Sequence, residues 1–233
     1  MSLPTLNTPT YNLTVPSTKQ RIKYRPFVVK EEKVLLMALE SEDDTQIAEA
    51  LKSIITCCVT TKDFKFDKLA TFDIEYIFLN IRAKSVGEMV DLILVAPDDG
   101  ETEVRVSINI ENVKVQFDKE HTNKIAIDDT LWVEMKYPGL DSFTNSQEDI
   151  DDTFKFVANS IDKIYNEEDV WDSTTTTPEE FVQFLENMSS KQFNSVQKFF
   201  ETMPSLKHEV KFTNPNTKVE STYVVEGLAN FFG

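Results

Sequence analysis

The chain has 233 residues, of which 40% are hydrophobic and 17 are phenylalanine, so it has enough apolar surface to bury a substantial core and is not a disordered protein. Its formal charge of −16 makes nonspecific nucleic-acid binding unexpected, because that binding depends on Lys and Arg neutralising phosphates. The sequence has no run of about 18 apolar residues and no apolar leader, so we expect synthesis in a cytoplasm without membrane insertion.

Residues 1–26 are predicted to form an extended N-terminal arm. Four prolines are scattered among Thr, Ser and Asn, a composition that cannot build a core by itself. Residues 1–30 contain five basic side chains and no acid, which leaves a formal charge of −21 on the rest of the chain. We therefore expect the arm to lie along a partner, with apolar side chains in grooves and basic side chains against an acidic surface. The candidate partner-binding residues are Leu3, Leu6, Tyr11, Leu13, Val15, Lys19, Arg21, Lys23 and Arg25.

Three helices are predicted after the arm. Residues 31–41 are strong helix formers. The apolar side of this first helix is assigned to Val34, Leu35, Met37 and Leu39. Residues 43–45 are typical of a helix start, and apolar residues follow at helical spacing as far as residue 55. Residues 72–86 have apolar side chains on two adjacent faces, so the third helix must be buried on two sides.

A small antiparallel sheet is predicted in the middle third of the chain. Residues 89–97 are typical of a strand, and residues 103–110 alternate between apolar and polar side chains. A turn at residues 98–100 separates these two strands. Residues 113–117 and 125–135 continue the period of two, so we expect them to extend the same sheet.

Helices return after residue 148. Apolar residues at helical spacing, ending with Ile161 and Ile164, predict a long helix. A second helix begins at Thr177 and a third ends at Pro204, and their Phe and Met side chains favour a packed core over a cofactor pocket. The chain then predicts a β-hairpin that turns at residues 214–216, followed by a short Phe-rich helix.

Three stretches of the chain carry a family resemblance. They are residues 24–59 (YRPFVVKEEKVLLMALESEDDTQIAEALKSIITCCV), 72–91 (FDIEYIFLNIRAKSVGEMVD) and 226–232 (EGLANFF). All three resemble the baseplate hub subunit family of T-even-like contractile-tailed bacteriophages, the myoviruses. The resemblance implies an α+β subunit that ends in a degenerate zinc-ribbon-like hairpin and a short helix. Family relatives can carry a Cys-x-x-Cys knuckle at this hairpin, but residues 98–100 and 211–216 supply no thiolate, so no structural zinc is expected.

The resemblance implies assembly by protein contacts. We predict an arm at 1–26, a helical and antiparallel-sheet region at 27–140, and a helical region with the terminal hairpin at 141–233. The expected function is that of a structural component of the baseplate hub in the virion tail, assembled in the host cytoplasm. The implied partners are other hub, wedge or tail-tube proteins. The alternative is a transient hub-assembly chaperone that is absent from the mature virion.

No enzymatic activity is expected. The sequence has no glycine-rich phosphate loop, nucleophile elbow, H-E-x-x-H pair or dinucleotide fingerprint, so no cofactor or small-molecule ligand is predicted. Acid pairs such as Asp151 and Asp152 leave a tail-associated glycan hydrolase open as a third hypothesis, although chance pairs are inevitable among 40 acids. Ten acids lie between residues 141 and 172, and they predict a solvated face or a surface for a basic neighbour.

Overall fold

The computed structural model describes residues 7–140 and 150–228. The chain forms two compact units, of which unit 1 combines Met1–Gln116 with Ser205–Gly233, and unit 2 is Phe117–Pro204. Both units mix helices with small antiparallel sheets, so the predicted α+β class is confirmed. Unit 1 thus consists of two separate segments of the sequence and unit 2 of one continuous segment, while the predicted division into 1–26, 27–140 and 141–233 stays a prediction. Within the described ranges, no helix has the length and apolarity needed to cross a bilayer.

The elements follow one another in chain order. The strands are β1 (Tyr11–Thr14), β2 (Arg21–Tyr24), β3 (Met89–Val95), β4 (Glu103–Asn109), β5 (Lys114–Gln116), β6 (Lys124–Ala126), β7 (Trp132–Met135), β8 (Ile161–Tyr165), β9 (Val170–Asp172), β10 (Ser205–Thr213) and β11 (Glu220–Glu226). The helices are α1 (Val29–Ser41), α2 (Asp44–Cys58), α3 (Thr71–Ser85), α4 (Ile150–Asn159), α5 (Pro178–Glu186) and α6 (Ser190–Thr202).

Helix α3 is the centre of unit 1. Nine of its fifteen residues are buried, including Ile74, Ile77 and Phe78, which are completely inaccessible. It contacts α2 on one side and strands β5 and β10 on others. The prediction of a helix buried on two sides is therefore confirmed. Burial on this scale removes several large apolar side chains from water, and each of them contributes about 1.5–3 kcal/mol to stability.

The strands of the middle third do not form one sheet. In residues 7–140 and 150–228, strands β3 and β4 form a two-stranded sheet, while β5 joins the C-terminal hairpin in the order β11-β10-β5. The run at residues 125–135 is divided into β6 and β7 by a turn, in which Asp128 Oδ1 accepts hydrogen bonds from the N–H groups of Thr130 and Leu131. A period of two predicts strands but not their partners, so the expectation of a single sheet was wrong.

Unit 2 packs three helices against a four-stranded antiparallel sheet. The strand order is β6-β7-β8-β9. Thr177 and Pro178 open helix α5, as predicted: Thr177 is the N-cap residue, and its hydroxyl accepts from Glu180 N–H while the Glu180 carboxylate accepts from Thr177 N–H. The core includes Val133, Met135, Phe181, Leu185, Val196 and Phe199. The Phe residues of α5 and α6 therefore belong to the core.

The predicted long helix ending at Ile164 is two elements. Helix α4 ends at Asn159, and Ile161 begins strand β8. Met135 lies opposite Ile161 but Glu134 lies opposite Lys163, so Asp162 is an extra residue in a β-bulge. The bulge leaves Ile161 and Ile164 both buried although they are three residues apart, a spacing that also fits a helix. The helical prediction was wrong for this reason.

Candidate interaction surfaces

The N-terminal arm folds back on itself as the β1–β2 hairpin. Tyr11 lies opposite Tyr24 with ring centroids 5.7 Å apart, and Leu13 lies opposite Ile22. Ile22 and Tyr24 are buried, as is Val15 at the start of the turn. One face of the hairpin is thus part of the core of unit 1, so the described part of the arm is folded against the rest of this unit.

Asp73 holds the turn of this hairpin against α3. Its carboxylate accepts hydrogen bonds from Ser17 N–H (2.9 Å), from the Ser17 hydroxyl and from Ala70 N–H (3.2 Å). The side chain is completely buried in the first turn of α3, where the helix dipole favours negative charge. Burial raises the pKa of Asp73, and the Ser17 and Ala70 hydrogen bonds oppose that rise. Asp73 therefore fixes the position of the hairpin relative to α3.

Arg25 is engaged inside unit 1. Its guanidinium forms a two-point contact with Glu31, at 2.8 Å from Nη2 to Oε1 and 3.2 Å from Nη1 to Oε2. Glu31 Oε2 also accepts from Val28 N–H, which fixes the start of α1. The hydrogen bond from Arg25 is the main cause of the lowered pKa of Glu31. This ion pair links the hairpin to α1.

The nine candidate partner-binding residues have different surroundings. Lys19, Arg21 and Lys23 are exposed, Tyr11, Leu13 and Arg25 are half-buried, and Val15 is buried. Leu3 and Leu6 lie outside the described residues. Arg21 and Lys23 are two residues apart on β2, opposite Thr14 and Asn12, so their side chains share the outer face of the hairpin. We call Arg21 and Lys23 the basic hairpin face.

Helix α1 has an exposed apolar surface that sequence reasoning missed. Val29, Leu36 and Met37 are 79%, 53% and 59% exposed, and their spacing places them on one side of the helix. Of the assigned apolar side, only Leu35 is buried, together with Ala38 and Glu31. Large contiguous apolar patches on a protein surface are typical of interaction sites, so this surface is a candidate for one. We call Val29, Leu36 and Met37 the α1 apolar face.

Most of the negative charge belongs to unit 2. That unit contains 19 Asp and Glu against 7 Lys, a formal charge of −12, whereas unit 1 carries −4. A groove with a volume of about 480 Å³ lies between α4 and α5. Phe154, Ala158 and Val182 supply apolar lining, and the exposed Asp151 and Glu186 supply charge. Unit 2 therefore combines an acidic surface with a partly apolar depression.

Asn214 joins two turns of unit 1. Its side chain is completely buried, and Nδ2 donates to Asp98 Oδ1 (3.1 Å) and to Asp99 Oδ2 (2.9 Å). Its Oδ1 accepts from the N–H groups of Asn216 and Thr217. These turns are the ones that lack thiolates in the sequence. In the described part of the chain, no three His, Cys, Asp or Glu side chains are grouped to hold a metal ion, and amide–carboxylate hydrogen bonds connect the turns.

Three side chains of types that can take part in catalysis are found in structural contacts. His121 lies between Thr202 and Tyr137, with each ring nitrogen 3.0 Å from a hydroxyl oxygen, and burial lowers its pKa. Asp152 forms an ion pair with Lys155 at 3.1 Å. Burial raises the pKa of the Cys58 thiol to about 12, which keeps it protonated and unreactive. Hydrogen bonding, ion pairing and burial therefore account for these three side chains in structural terms.

Comparison with known proteins gives one result. A sequence profile of the family described as T4 bacteriophage base plate protein matches residues 8–233. No curated protein and no solved structure matches the chain. The matched range includes both units, so the match concerns the whole fold.

Proposed function

The chain belongs to the T4 bacteriophage base plate protein family, and we propose that its place within the baseplate is the hub. Membership supports a structural component of the virion tail baseplate, with other baseplate proteins as partners and a structural rather than catalytic role. The observation that carries this function is the family match over residues 8–233. The hub position is supported by the likeness of residues 24–59 and 72–91 to hub subunits.

In this proposal the partner contacts are made by the basic hairpin face and the α1 apolar face. The Asp73 and Arg25 contacts present both surfaces in a fixed geometry, so little conformational entropy is lost on docking. Charge complementarity directs the approach of an acidic partner. The α1 apolar face then supplies apolar area for burial. Hub, wedge or tail-tube proteins are the partners that this surface would bind.

A double charge reversal tests the basic hairpin face. Truncation of residues 2–25 is unsuitable because it removes Val15 and Ile22 from the core. We expect Arg21→Glu with Lys23→Glu to lower the copies of this chain per purified tail by about tenfold, through repulsion of an acidic partner. Quantitative mass spectrometry of gradient-purified tails measures this ratio.

The matched control reverses one Arg and one Lys on other strands of unit 1. Arg105 on β4 and Lys211 on β10 are both exposed, so Arg105→Glu with Lys211→Glu makes the same charge change elsewhere. This control should enter tails at the wild-type ratio, and both variants should retain the wild-type circular dichroism spectrum. Equal incorporation of the two variants would contradict the proposed role of Arg21 and Lys23.

A transient hub-assembly chaperone is the second candidate function. The formal charge of −12 on unit 2 favours it, because such a surface suits the shielding of a basic client. The copies per particle separate the two functions. A fixed integer ratio in mature tails indicates a structural subunit, whereas presence in assembly intermediates and absence from mature tails indicates a chaperone.

A further inference from the structure

We propose that the groove between α4 and α5 binds a basic segment of a partner protein, one that inserts an apolar side chain between the helices and places Lys or Arg against the rim. This inference deepens the proposed function and rests on it, since it assumes that the chain works by binding other proteins. It assigns a binding role to unit 2, separate from the surfaces of unit 1.

The floor of the groove is apolar and already formed. Phe154 and Ala158 of α4 face Val182 of α5 across it. The Phe154 ring stacks on Phe193 of α6, with centroids 5.0 Å apart and planes 18° from parallel. This stacking restrains the orientation of the Phe154 ring. A volume of about 480 Å³ accepts one or two apolar side chains of a partner without rearrangement of the helices.

The rim of the groove is acidic. Asp151, Glu179 and Glu186 are exposed at its edge. Among the residues that the structure describes, none of these three carboxylates takes part in an ion pair. The groove residue Lys155 pairs with Asp152, which reduces its ability to neutralise the rim. The rim therefore presents negative charge to an approaching segment.

The charge of the surroundings selects a basic occupant. The formal charge of −12 on unit 2 attracts cations over a distance of about one Debye length and opposes acidic segments. Residues 141–149, which precede α4 in the sequence, contain three acids and no base, so they lack the positive charge that an occupant of this acidic groove needs. An apolar floor with an acidic rim matches an amphipathic segment that carries Leu or Phe between Lys or Arg residues.

A peptide of that chemistry provides a direct test. The probe is a fluorescein-labelled 14-residue peptide of Leu and Lys with helical amphipathic spacing, and its binding to the full chain is followed by fluorescence anisotropy. We expect the variant Asp151→Asn, Glu179→Gln, Glu186→Gln to weaken binding by at least about tenfold and to reduce its salt dependence. Val182→Ser should weaken binding by about fivefold and leave the salt dependence unchanged, because it alters only the floor.

A control with identical chemistry lies in the turn between β8 and β9. Glu167→Gln, Glu168→Gln, Asp169→Asn removes the same three charges from exposed positions outside the groove lining. This control should weaken binding less than about threefold. Equal weakening by the two triple variants would show that only the net charge matters, and failure of the wild-type chain to bind the peptide would equally overturn the proposal.

Two further measurements separate this inference from its alternatives. Sedimentation of the chain alone reports self-association, and self-association that is lost in the rim variant would identify a second copy as the occupant and overturn the partner proposal. The copies per tail report the proposed function independently. A chain present at a fixed ratio in tails but unable to bind the peptide refutes only the groove, whereas a chain that binds the peptide but is absent from tails refutes only the structural role.

Discussion

Glu75 is a carboxyl group in the core of unit 1. The residue is 8% exposed, and its Oε1 accepts a hydrogen bond from Leu228 N–H at 3.1 Å. It thereby connects α3 to the chain that follows β11. Burial raises its pKa from 4.5 to about 7, against the lowering effect of the Leu228 hydrogen bond and with a smaller rise from the charge of Glu226. The group is therefore neutral in the folded chain at mildly acidic pH.

This raised pKa predicts a pH dependence of stability. In the unfolded chain Glu75 ionises near pH 4.5 but in the folded chain near pH 7, so its contribution is fully present below pH 4.5 and is lost as the pH rises through 7. Glu75→Gln keeps an acceptor for Leu228 and removes the charge. We expect its advantage in unfolding free energy over wild type to grow by about 1–2 kcal/mol between pH 5.5 and pH 8.

Urea denaturation at these two pH values measures the advantage. Glu103→Gln is the control, because Glu103 is exposed on β4 and should give the same difference from wild type at both pH values. A Glu75→Gln chain whose difference from wild type does not change with pH would show that this carboxyl group titrates normally.

At the scale of elements, the side chains of Asn214, Asn216 and Thr217 form hydrogen bonds across two turns of unit 1, and the Asn214 side chain is the buried one. Asn214 satisfies donors and acceptors on both turns and is completely buried. Asn214→Ala leaves the N–H groups of Asn216 and Thr217 without their side-chain acceptor and removes two donors from Asp98 and Asp99. We expect a loss of about 2–3 kcal/mol in unfolding free energy, since buried polar groups lose their partners.

The exchange of backbone amide protons locates this effect. In the Asn214→Ala chain, the amide protons of residues 96–102 and 214–219 should exchange faster than in wild type. The amide protons of α3 should still exchange only through global unfolding. Asn216→Ala is the comparison, because its exposed side chain donates one hydrogen bond, to Thr102 Oγ1 at 3.0 Å. It should cost less than about 1 kcal/mol. Equal losses from the two variants would contradict the central role of Asn214.

The sequence predicts well those helices and strands that depend only on residues close together in the chain. The start of α5 follows from Thr177, Pro178 and Glu180, all within one helical turn. The alternation in β4 likewise requires only its own residues. The β1–β2 hairpin was not predicted because its apolar residues are few, and its turn is held by Asp73, which is 56 residues away from Ser17. Contacts at that separation are invisible to a local pattern.

Local sequence patterns are equally limited in predicting the candidate interaction surfaces. Exposure of Arg21 and Lys23 is expected from their charge alone. Exposure of Leu36 and Met37 is not expected from their residue types, because an apolar residue in a helix is exposed only when no other element covers it. Likewise, the groove beside Val182 depends on the distance between α4 and α5, which a period of 3.6 does not specify. Tertiary packing decides which apolar face remains open.

At the scale of the whole molecule, unit 2 is an insertion into unit 1. The chain leaves unit 1 at the end of β5 and returns at the start of β10. These strands are antiparallel neighbours, and Gln116 lies directly opposite Ser205. The core of unit 1 around α3 and the core of unit 2 around Phe199 consist of different residues. The arrangement predicts that unit 1 does not need unit 2 in order to fold.

Replacement of residues 117–204 by Asn-Gly tests this independence. Because Gln116 and Ser205 are cross-strand partners, a two-residue type I′ turn closes β5 and β10 into a hairpin without strain. We expect the shortened chain to unfold cooperatively in urea and to retain the helical circular dichroism of α1, α2 and α3. Pro-Pro in place of Asn-Gly is the control, since it cannot form that turn and should lower the unfolding free energy. A shortened Asn-Gly chain without a cooperative transition would show that unit 1 depends on unit 2.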